Sequence, residues 1–449
     1  MNMWKNNLNA VRLLLLMLGM SLNVFAADKK APNWPKIYSD HLFQLTEVMV
    51  TDVASPPVAA RIYAYAALSS YLLMESEGAV FERQKIPVSG PFTRTASGIP
   101  SPEFAAVYAM LLVGEKLMPS GYLLQEKQEN WIDQGIKLKI IKRGEVNAHV
   151  QKAQQIASEV LALAGKDGYK ELTALNRYTP KEGPGNWYPT PPAYIAAVEP
   201  EWKTMKPFFI QELDQFDPEP MAEFDLAKGS SFQRQLQEVY EVGKNLSEEQ
   251  KLIANFWDCN PFKVTYSGHM AMGVKKISPG GHWMGITGIA AQKAQLNFQE
   301  TAYIHALVGM TLHDAFISCW KAKYETNRIR PETVINRTLN QRWKPLLQTP
   351  PFPEYTSGHS VISQASAVIL SSYFGNNFSF LDTSEVYFGL PERQFDSFFQ
   401  ASSEAAISRL YGGIHFRDAI EEGLKQGDKI AKMILDKLKI QAQTGSYGQ

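Results

Sequence analysis

Apolar residues recur at intervals of three and four along most of this chain, which is the spacing of one face of an α-helix. The pattern predicts helices over residues 57–74, 102–118, 145–163 and 247–257. In the last of these, Ser247 and Gln250 form a pair that can cap the free N–H groups of a first helical turn. Alternating patterns typical of strands are scarce, so we expect an all-α fold with low strand content.

The last third of the chain predicts three further helices. One runs from about residue 301 to 329, because the residue before Pro331 avoids helical angles. The others cover residues 361–374 and about 418–439. Between the halves, residues 180–200 hold six prolines and predict a long irregular connection, either a structured loop or a rim that contacts substrate.

The first residues predict export from the cell. Lys5 and Arg12 precede or open an apolar run that ends at Met20. Small residues follow at the positions that usually precede a signal-peptide cleavage site. We expect a signal peptide over residues 1–26 and a periplasmic or secreted mature protein. A membrane anchor is the alternative, but the run is shorter than the ~20 residues that span a bilayer.

The mature chain is predicted to contain two helical regions. Residues 27–245 would pack on a catalytic region at 246–440, and residues 441–449 would form a flexible tail. A hydrophobic content of 45% and 11% aromatic residues allow a large core. The best candidate for a later membrane span, residues 302–320, contains His305, His313 and Asp314, so we expect no span after signal removal.

The charge balance argues against nucleic acid as a partner. The full chain has 45 basic and 45 acidic residues, and loss of Lys5 and Arg12 with the signal peptide leaves a net charge near −2. Cys259 and Cys319 are too few for a disulfide scaffold. They could pair in an oxidising compartment or remain as two small buried residues.

Candidate anion-binding residues occur in three segments near the C-terminus. Lys323 and Arg330 are seven residues apart, so we expect both on one face near the end of the same helix. Ser357, Gly358 and His359 stand at a predicted helix start, where free N–H groups and the helix dipole favour an anion. Taken separately, Lys323 and Arg330 could instead form a solvated stripe of charge, and residues 357–359 could be a simple helix-capping turn.

The third segment contains Arg409 and His415 on either side of a glycine pair. The glycines predict a turn between two helices, which would bring Arg409 and His415 towards one point. Alone, these two could be buried structural residues. In combination, the three segments would supply several fixed donors to replace the hydration shell of a tetrahedral oxyanion.

The three segments resemble the type 2 phosphatidic acid phosphatase and vanadium haloperoxidase superfamily. Its pattern is Lys-x6-Arg-Pro, then Pro-Ser-Gly-His, then Ser-Arg-x5-His-x3-Asp, and the resemblance covers roughly residues 301–438. Stretches at 53–63 and 256–258 also look like bacterial vanadium haloperoxidase homologues. The pattern departs at Thr356, which replaces the usual proline, and at Asp418, which lies three residues after His415 instead of four.

The resemblance implies a helical bundle of the vanadium chloroperoxidase and acid phosphatase type, with extra N-terminal helices. It assigns oxyanion binding to one group of residues: Lys323, Arg330, Ser357, Gly358 and Arg409. His415 would ligate vanadium, His359 would act as acid and base, and Asp418 would orient His415, although its shifted position puts that role in doubt.

The residue set is compatible with two reactions. In the first, a peroxovanadate bound to His415 oxidises halide with hydrogen peroxide, which makes the protein an oxidoreductase with vanadate as cofactor. In the alternative, an exported phosphomonoesterase without cofactor cleaves a small phosphoester through a phosphohistidine at His415. The length of the chain and the position of Asp418 favour the haloperoxidase. A non-catalytic anion-binding protein is a third hypothesis, since it would need the cations but neither histidine.

Five further residues carry weaker signals. Phe352 resembles the phenylalanine of chloroperoxidases, where bromoperoxidases carry histidine, but it could equally serve packing. His269 and His282 flank a glycine-rich stretch and could line the pocket entrance, bind a second ion or be ordinary loop residues. We expect His305 and His313 to have their hydrogen bonds satisfied, either in the core or in the layer of residues behind the site.

Overall fold

The protein is an all-α bundle, as the sequence predicts. The computed structural model describes residues 32–438 apart from 79–84, 89, 91, 93–94, 176, 192 and 275. The predicted signal peptide (1–26) and flexible tail (441–449) lie outside these residues. The described residues from Trp34 to Leu438 form one compact unit.

The described residues contain thirteen α-helices. Those of the N-terminal half are α1 (Trp34–Thr51), α2 (Pro56–Ser76), α3 (Pro102–Leu117), α4 (Leu124–Lys137), α5 (Val146–Ala164) and α6 (Ser231–Lys244). Those that follow are α7 (Glu248–Phe256), α8 (Pro279–Lys293), α9 (Phe298–Thr326), α10 (Pro331–Thr338), α11 (Gly358–Phe374), α12 (Phe398–Tyr411) and α13 (Arg417–Lys437).

Strands are restricted to two antiparallel hairpins in the described part of the chain. Strand β1 (Val264–Ser267) pairs with β2 (Met270–Gly273), and β3 (Phe380–Asp382) pairs with β4 (Arg393–Phe395). The segment 180–200 is irregular, as its prolines predict. No helix among the described residues has the length and apolar character required to cross a membrane.

Helix α9 runs through the centre of the bundle and packs most extensively against α2. Asn297 and Glu300 begin it with reciprocal hydrogen bonds between side chains and backbone N–H groups, at 2.9 and 3.2 Å. Gly309 permits the close approach of the two helices, because a Cβ there would lie 3.1 Å from the Cα of Ala64. Helices from both halves of the sequence therefore share one core.

Helix α11 packs against α13, α12 and α9. Gly427 on α13 allows near contact between backbones, since a Cβ at this position would be 2.1 Å from the carbonyl oxygen of Val361. The first turn of α11 is thus held at the junction of the helices that carry the predicted anion-binding residues.

The predicted helix over 301–329 ends earlier than expected. Helix α9 stops at Thr326 because Asn327 adopts a left-handed conformation with φ of 50°, and its N–H caps the carbonyl of Lys323 at 2.9 Å. The chain then bonds to the Pro-rich connection, with Ile329 N–H donating to Gly185 O at 2.9 Å. Arg330 is the residue before α10. The expectation that Lys323 and Arg330 share one helix is therefore wrong.

Both cysteines are buried free thiols. Cys259 follows α7, and Cys319 lies in α9 beside Thr356. The structure therefore selects two separate buried residues over a disulfide.

Candidate active site

Three buried cations converge at the start of α11, and main-chain carbonyls hold them. Lys323 donates to the carbonyl oxygens of Pro353 at 3.2 Å and Glu354 at 3.1 Å, and also to that of Thr356. Arg330 reaches the same loop from the opposite side, through Nε to Phe352 O at 3.0 Å. The loop that precedes α11 therefore joins a cation near the end of α9 to a cation that directly precedes α10.

Arg409 approaches from α12. Its Nη2 donates to the carbonyl oxygen of Trp257 at 2.6 Å, and its Nε donates to Ser408 Oγ at 2.9 Å. Lys323 and Arg330 are fully buried and Arg409 is 2% exposed. Since these donors are paired with neutral carbonyls and a hydroxyl, the positive charge remains available to an anion.

The first turn of α11 brings Ser357, Gly358 and His359 to the same place. Ser357 caps the helix, accepting from the N–H of Ser360 at 3.3 Å, and its own N–H donates to Ala419 O at 2.9 Å. At Gly358, a Cβ would meet only the Trp320 ring, at 3.7 Å. His359 Nε2 is buried and has no hydrogen-bond partner among the described residues.

His415 lies between α12 and α13, just after the turn made by the glycine pair, in which Gly413 has a positive φ of 75°. Its Nε2 is 3.2 Å from Arg330 Nη1, so it faces the cations. Its Nδ1 is 2.8 Å from Glu354 Oε1. Because the carboxylate accepts a hydrogen bond from Nδ1–H, Nε2 carries the lone pair of the neutral ring and faces Arg330 and the site.

Asp418 does not contact His415, which corrects its predicted role. Its carboxylate binds Arg328 Nη1 at 2.5 Å and the N–H of Ala222 at 3.0 Å. The position that we expected for Asp418 is held by Glu354, which is fully buried. A shift of one residue at the start of α13 thus turns Asp418 towards α6 and its preceding loop.

Sequence reasoning missed Glu354 and Arg328. Glu354 binds both His415 and, at 3.3 Å, Arg328 Nη1. Glu354 lies 61 residues before His415, so only the tertiary fold reveals the pair. A local signal did exist, because Glu354 lies only three positions before Ser357, and a carboxylate that is buried beside such a site needs a partner.

Four of the site residues border a cleft: Gly358, His359, Arg409 and His415. Other polar residues also line it: Asp258, Asn260 and Gln348. The remaining walls include Trp320, Phe316, Phe352, Pro279, Pro350 and Ile414.

Burial and mutual repulsion determine the charges in the site. Burial lowers the pKa of Lys323 to about 8 and the pKa of Arg330 and of Arg409 to about 10, so all three stay charged at neutral pH. Burial also lowers the pKa of His359 and of His415 well below the usual value, and neighbouring arginines lower it further. At neutral pH both histidines are uncharged.

Phe352 packs between the cations. Its ring centroid is 4.9 Å from that of Trp320, 5.2 Å from Lys323 Nζ and 5.2 Å from the Arg330 guanidinium carbon. These contacts explain the aromatic residue by packing and cation–π attraction, without reference to a particular halide.

The other histidines are separate from the anion site. His305 and His313 are buried in α9, as we expected, with Nδ1 of His305 2.7 Å from Thr301 O and Nε2 of His313 3.3 Å from Lys206 O. Their hydrogen bonding is only half satisfied, because Nε2 of His305 and Nδ1 of His313 have no partner among the described residues. His269 is exposed in the turn between β1 and β2. His282 is buried in a polar cluster behind Trp257.

Comparison with known proteins shows which proteins resemble this chain in sequence and fold. A family model described as the VCPO second helical-bundle domain matches residues 336–444. The search of curated proteins gives no match. Among solved structures, the first bacterial vanadium-dependent iodoperoxidase is 39% identical, with a TM-score of 0.82, over 91% of this chain and 97% of that one.

More distant structures share the fold. The holo form of a bacterial vanadium-dependent chloroperoxidase is 15% identical with a TM-score of 0.64, over 87% of this chain and 94% of that one. Its apo counterpart is 14% identical with a TM-score of 0.65, over 85% and 93%. The 39% identity over nearly the full length is decisive: the chain belongs to the family of bacterial vanadium-dependent haloperoxidases.

Proposed function

We propose that this protein is an exported enzyme that binds vanadate in the site at the start of α11 and uses hydrogen peroxide to oxidise iodide. The observation that carries the proposal is the buried group of three cations, Lys323, Arg330 and Arg409. Within the described residues, their hydrogen bonds go to backbone carbonyls, one hydroxyl and Nε2 of His415, and not to carboxylates. Buried charge without carboxylate partners is costly unless an anion joins it.

The donor set fits vanadate. The two arginines and Lys323 would neutralise its charge, while the Ser357 hydroxyl and the Gly358 N–H would donate to its oxygens. His415 would be the protein ligand to the metal, since Glu354 binds Nδ1 and leaves Nε2 unprotonated. When bound, vanadate would supply a Lewis-acidic centre that activates peroxide towards nucleophilic halide.

His359 is suited to proton transfer. It is neutral at neutral pH, its Nε2 has no partner among the described residues, and it borders the cleft. Nε2 can therefore accept a proton from incoming peroxide and return it to the leaving oxygen. Iodide is proposed as the halide because the relative with 39% identity is described as an iodoperoxidase.

The experiment begins with purified protein that is freed of metal and reloaded with orthovanadate in phosphate-free buffer. Iodide oxidation by hydrogen peroxide is followed through triiodide absorbance. We expect vanadate-dependent turnover that His415→Ala abolishes and that His269→Ala, which changes an exposed histidine, leaves intact.

A parallel assay with a chromogenic phosphomonoester and no vanadate tests the alternative. Cleavage that vanadate inhibits, without iodide oxidation by the loaded protein, would replace the haloperoxidase with a phosphohistidine phosphatase. Vanadate binding without either activity would leave only an anion-binding protein.

A further inference from the structure

A second buried polar cluster lies behind Trp257 and has no part in holding the oxyanion. It consists of Cys259 after α7, His282 in α8, Asp382 at the end of β3 and Glu385 after it. Each of these residues is at most 2% exposed. Such a concentration of thiol, imidazole and carboxylate groups is unusual in a protein core, which favours apolar side chains.

Three side-chain atoms of this cluster surround one point. Cys259 Sγ is 3.4 Å from His282 Nδ1 and 3.8 Å from Glu385 Oε1, and His282 Nδ1 is 3.1 Å from Glu385 Oε1. All three atoms lie within 4.8 Å of one another. Tetrahedral zinc, with bonds of about 2.0–2.3 Å, separates sulfur and nitrogen by about 3.5 Å, nitrogen and oxygen by about 3.3 Å, and sulfur and oxygen by about 3.5 Å.

We propose that Cys259, His282 and Glu385 form a binding site for a zinc-class divalent cation, distinct from the vanadate site. The thiolate and imidazole exclude magnesium and calcium, which prefer all-oxygen coordination. A thiolate, an imidazole and a carboxylate together match the ligand types that Zn²⁺ uses in proteins.

Asp382 supplies the outer partner that such a site requires. Its Oδ2 is 2.8 Å from His282 Nε2, so Nδ1 remains the nitrogen that faces Cys259 and Glu385. Ser384 holds Asp382 in place, donating from its N–H at 3.0 Å and from Oγ at 2.6 Å. A carboxylate on the far nitrogen orients a metal-binding histidine and raises its basicity.

Metal uptake exchanges protons for the cation without any change of oxidation state. In the metal-free protein, burial opposes the charged form of His282, but Asp382 and Glu385 outweigh it and raise the pKa of His282 well above its usual value. Cys259 is a neutral thiol, because burial raises its pKa. Binding of M²⁺ would release one proton from the thiol and one from Nδ1 of the imidazolium.

The metal would stiffen one wall of the active-site cleft. The His282 ring stacks on Trp257 with centroids 4.4 Å apart, and Trp257 O accepts the hydrogen bond from Arg409. Cys259 itself borders the cleft.

The test uses tag-free full-length protein equilibrated with Zn²⁺ and then desalted. Elemental analysis should give about one zinc per chain, and the melting temperature should rise relative to protein treated with a chelator. Cys259→Ser and Glu385→Gln should lose the zinc, and Asp382→Asn should weaken binding by roughly 10- to 100-fold. His415→Ala should keep it, because that change affects only the vanadate site.

Cobalt provides a readout that does not require the Cys259 variant to fold. Co²⁺ bound by the parent should show a thiolate-to-metal charge-transfer band, and Cys319→Ala, which leaves Cys259 as the sole thiol, should retain that band. Absence of zinc and of the band in both proteins would refute the site. So would zinc retention in Cys259→Ser and Glu385→Gln, or zinc loss in His415→Ala, which would place the metal in the anion pocket.

Discussion

Glu354 organises the vanadate-site histidine through one carboxylate oxygen. Oε1 is bound by His415 Nδ1 at 2.8 Å and by the N–H of Phe416 at 2.9 Å, while Oε2 pairs with Arg328 at 3.3 Å. The main-chain bond fixes the carboxylate relative to the imidazole. His415 therefore has a defined tautomer as well as a defined position.

Replacing Glu354 with Gln should weaken vanadate binding by roughly 10- to 100-fold, because an outer partner of a metal-binding histidine has effects of this size. Asp418→Asn is the matched control, since Asp418 pairs with Arg328 but does not contact His415. Equilibrium dialysis with vanadate measures both affinities. Equal losses in the two variants would contradict the assignment of Glu354.

His359→Ala should separate vanadate binding from turnover. The cations and His415 remain, so we expect affinity within a few-fold of the parent, whereas iodide oxidation should fall by about 10²–10⁴-fold with loss of the proton acceptor. Dialysis and initial rates on the same samples provide the comparison. A variant with full activity would remove His359 from the proposed proton transfer.

At the scale of elements, the contact between α11 and α13 positions the first turn of the anion site. Gly427→Ala should destabilise the protein by about 1–3 kcal/mol, since the added methyl group would be forced against Val361 O and would push the helices apart. Gly144→Ala is the control, because a Cβ there meets nothing within 4 Å.

Urea unfolding of both variants measures this effect. If Gly427→Ala were as stable as the parent, the close contact would not constrain the two helices. Vanadate affinity should fall together with stability, because Ser357 and Gly358 begin the helix that would be displaced.

Periodicity and capping residues predicted most helices within a few residues. The expected 57–74 and 145–163 correspond to Pro56–Ser76 and Val146–Ala164. Ser247 and Gln250 form the predicted capping box, with bonds of 3.0 and 3.2 Å. Predictions from periodicity and from capping residues are accurate because both patterns depend on residues that are close together in the chain.

The errors arose where distant segments decide the structure. The end of α9 depends on the left-handed Asn327 and on bonds to the Pro-rich connection more than 140 residues earlier, and Pro331 alone suggested a later end. The partner of His415 was missed for the same reason. The motifs predicted which residues meet in the site, but not which carboxylate completes it.

At the scale of the whole molecule, acid should destabilise the bundle through its buried histidines. Burial lowers the pKa of His305 and of His313 to about 4, below the value of about 6.5 in the unfolded chain. Between these values the unfolded chain binds more protons, so stability falls as the pH decreases from about 6.5 to about 4. The contribution of each histidine is at most about 3 kcal/mol.

His305→Asn should reduce this loss, because an uncharged side chain replaces one histidine while a donor to Thr301 O can be kept. Urea unfolding at several pH values between 4 and 7 measures the slope. His269→Asn, at an exposed position, should leave the slope unchanged. A parent-like pH dependence in His305→Asn would contradict the argument.

The loop before α11 holds Lys323 and Arg330 entirely through carbonyl oxygens of its backbone. Every amino acid provides the same carbonyl, so the positions of these cations depend on the path of the loop and not on most of its side chains. Side chains of this loop that face the cleft could therefore be varied to alter reactant preference. At Phe352 such a change would remove the ring contacts with both cations but would leave their carbonyl acceptors in place. In this one loop, the backbone determines where the cations lie, and the side chains determine which reactants the cleft admits.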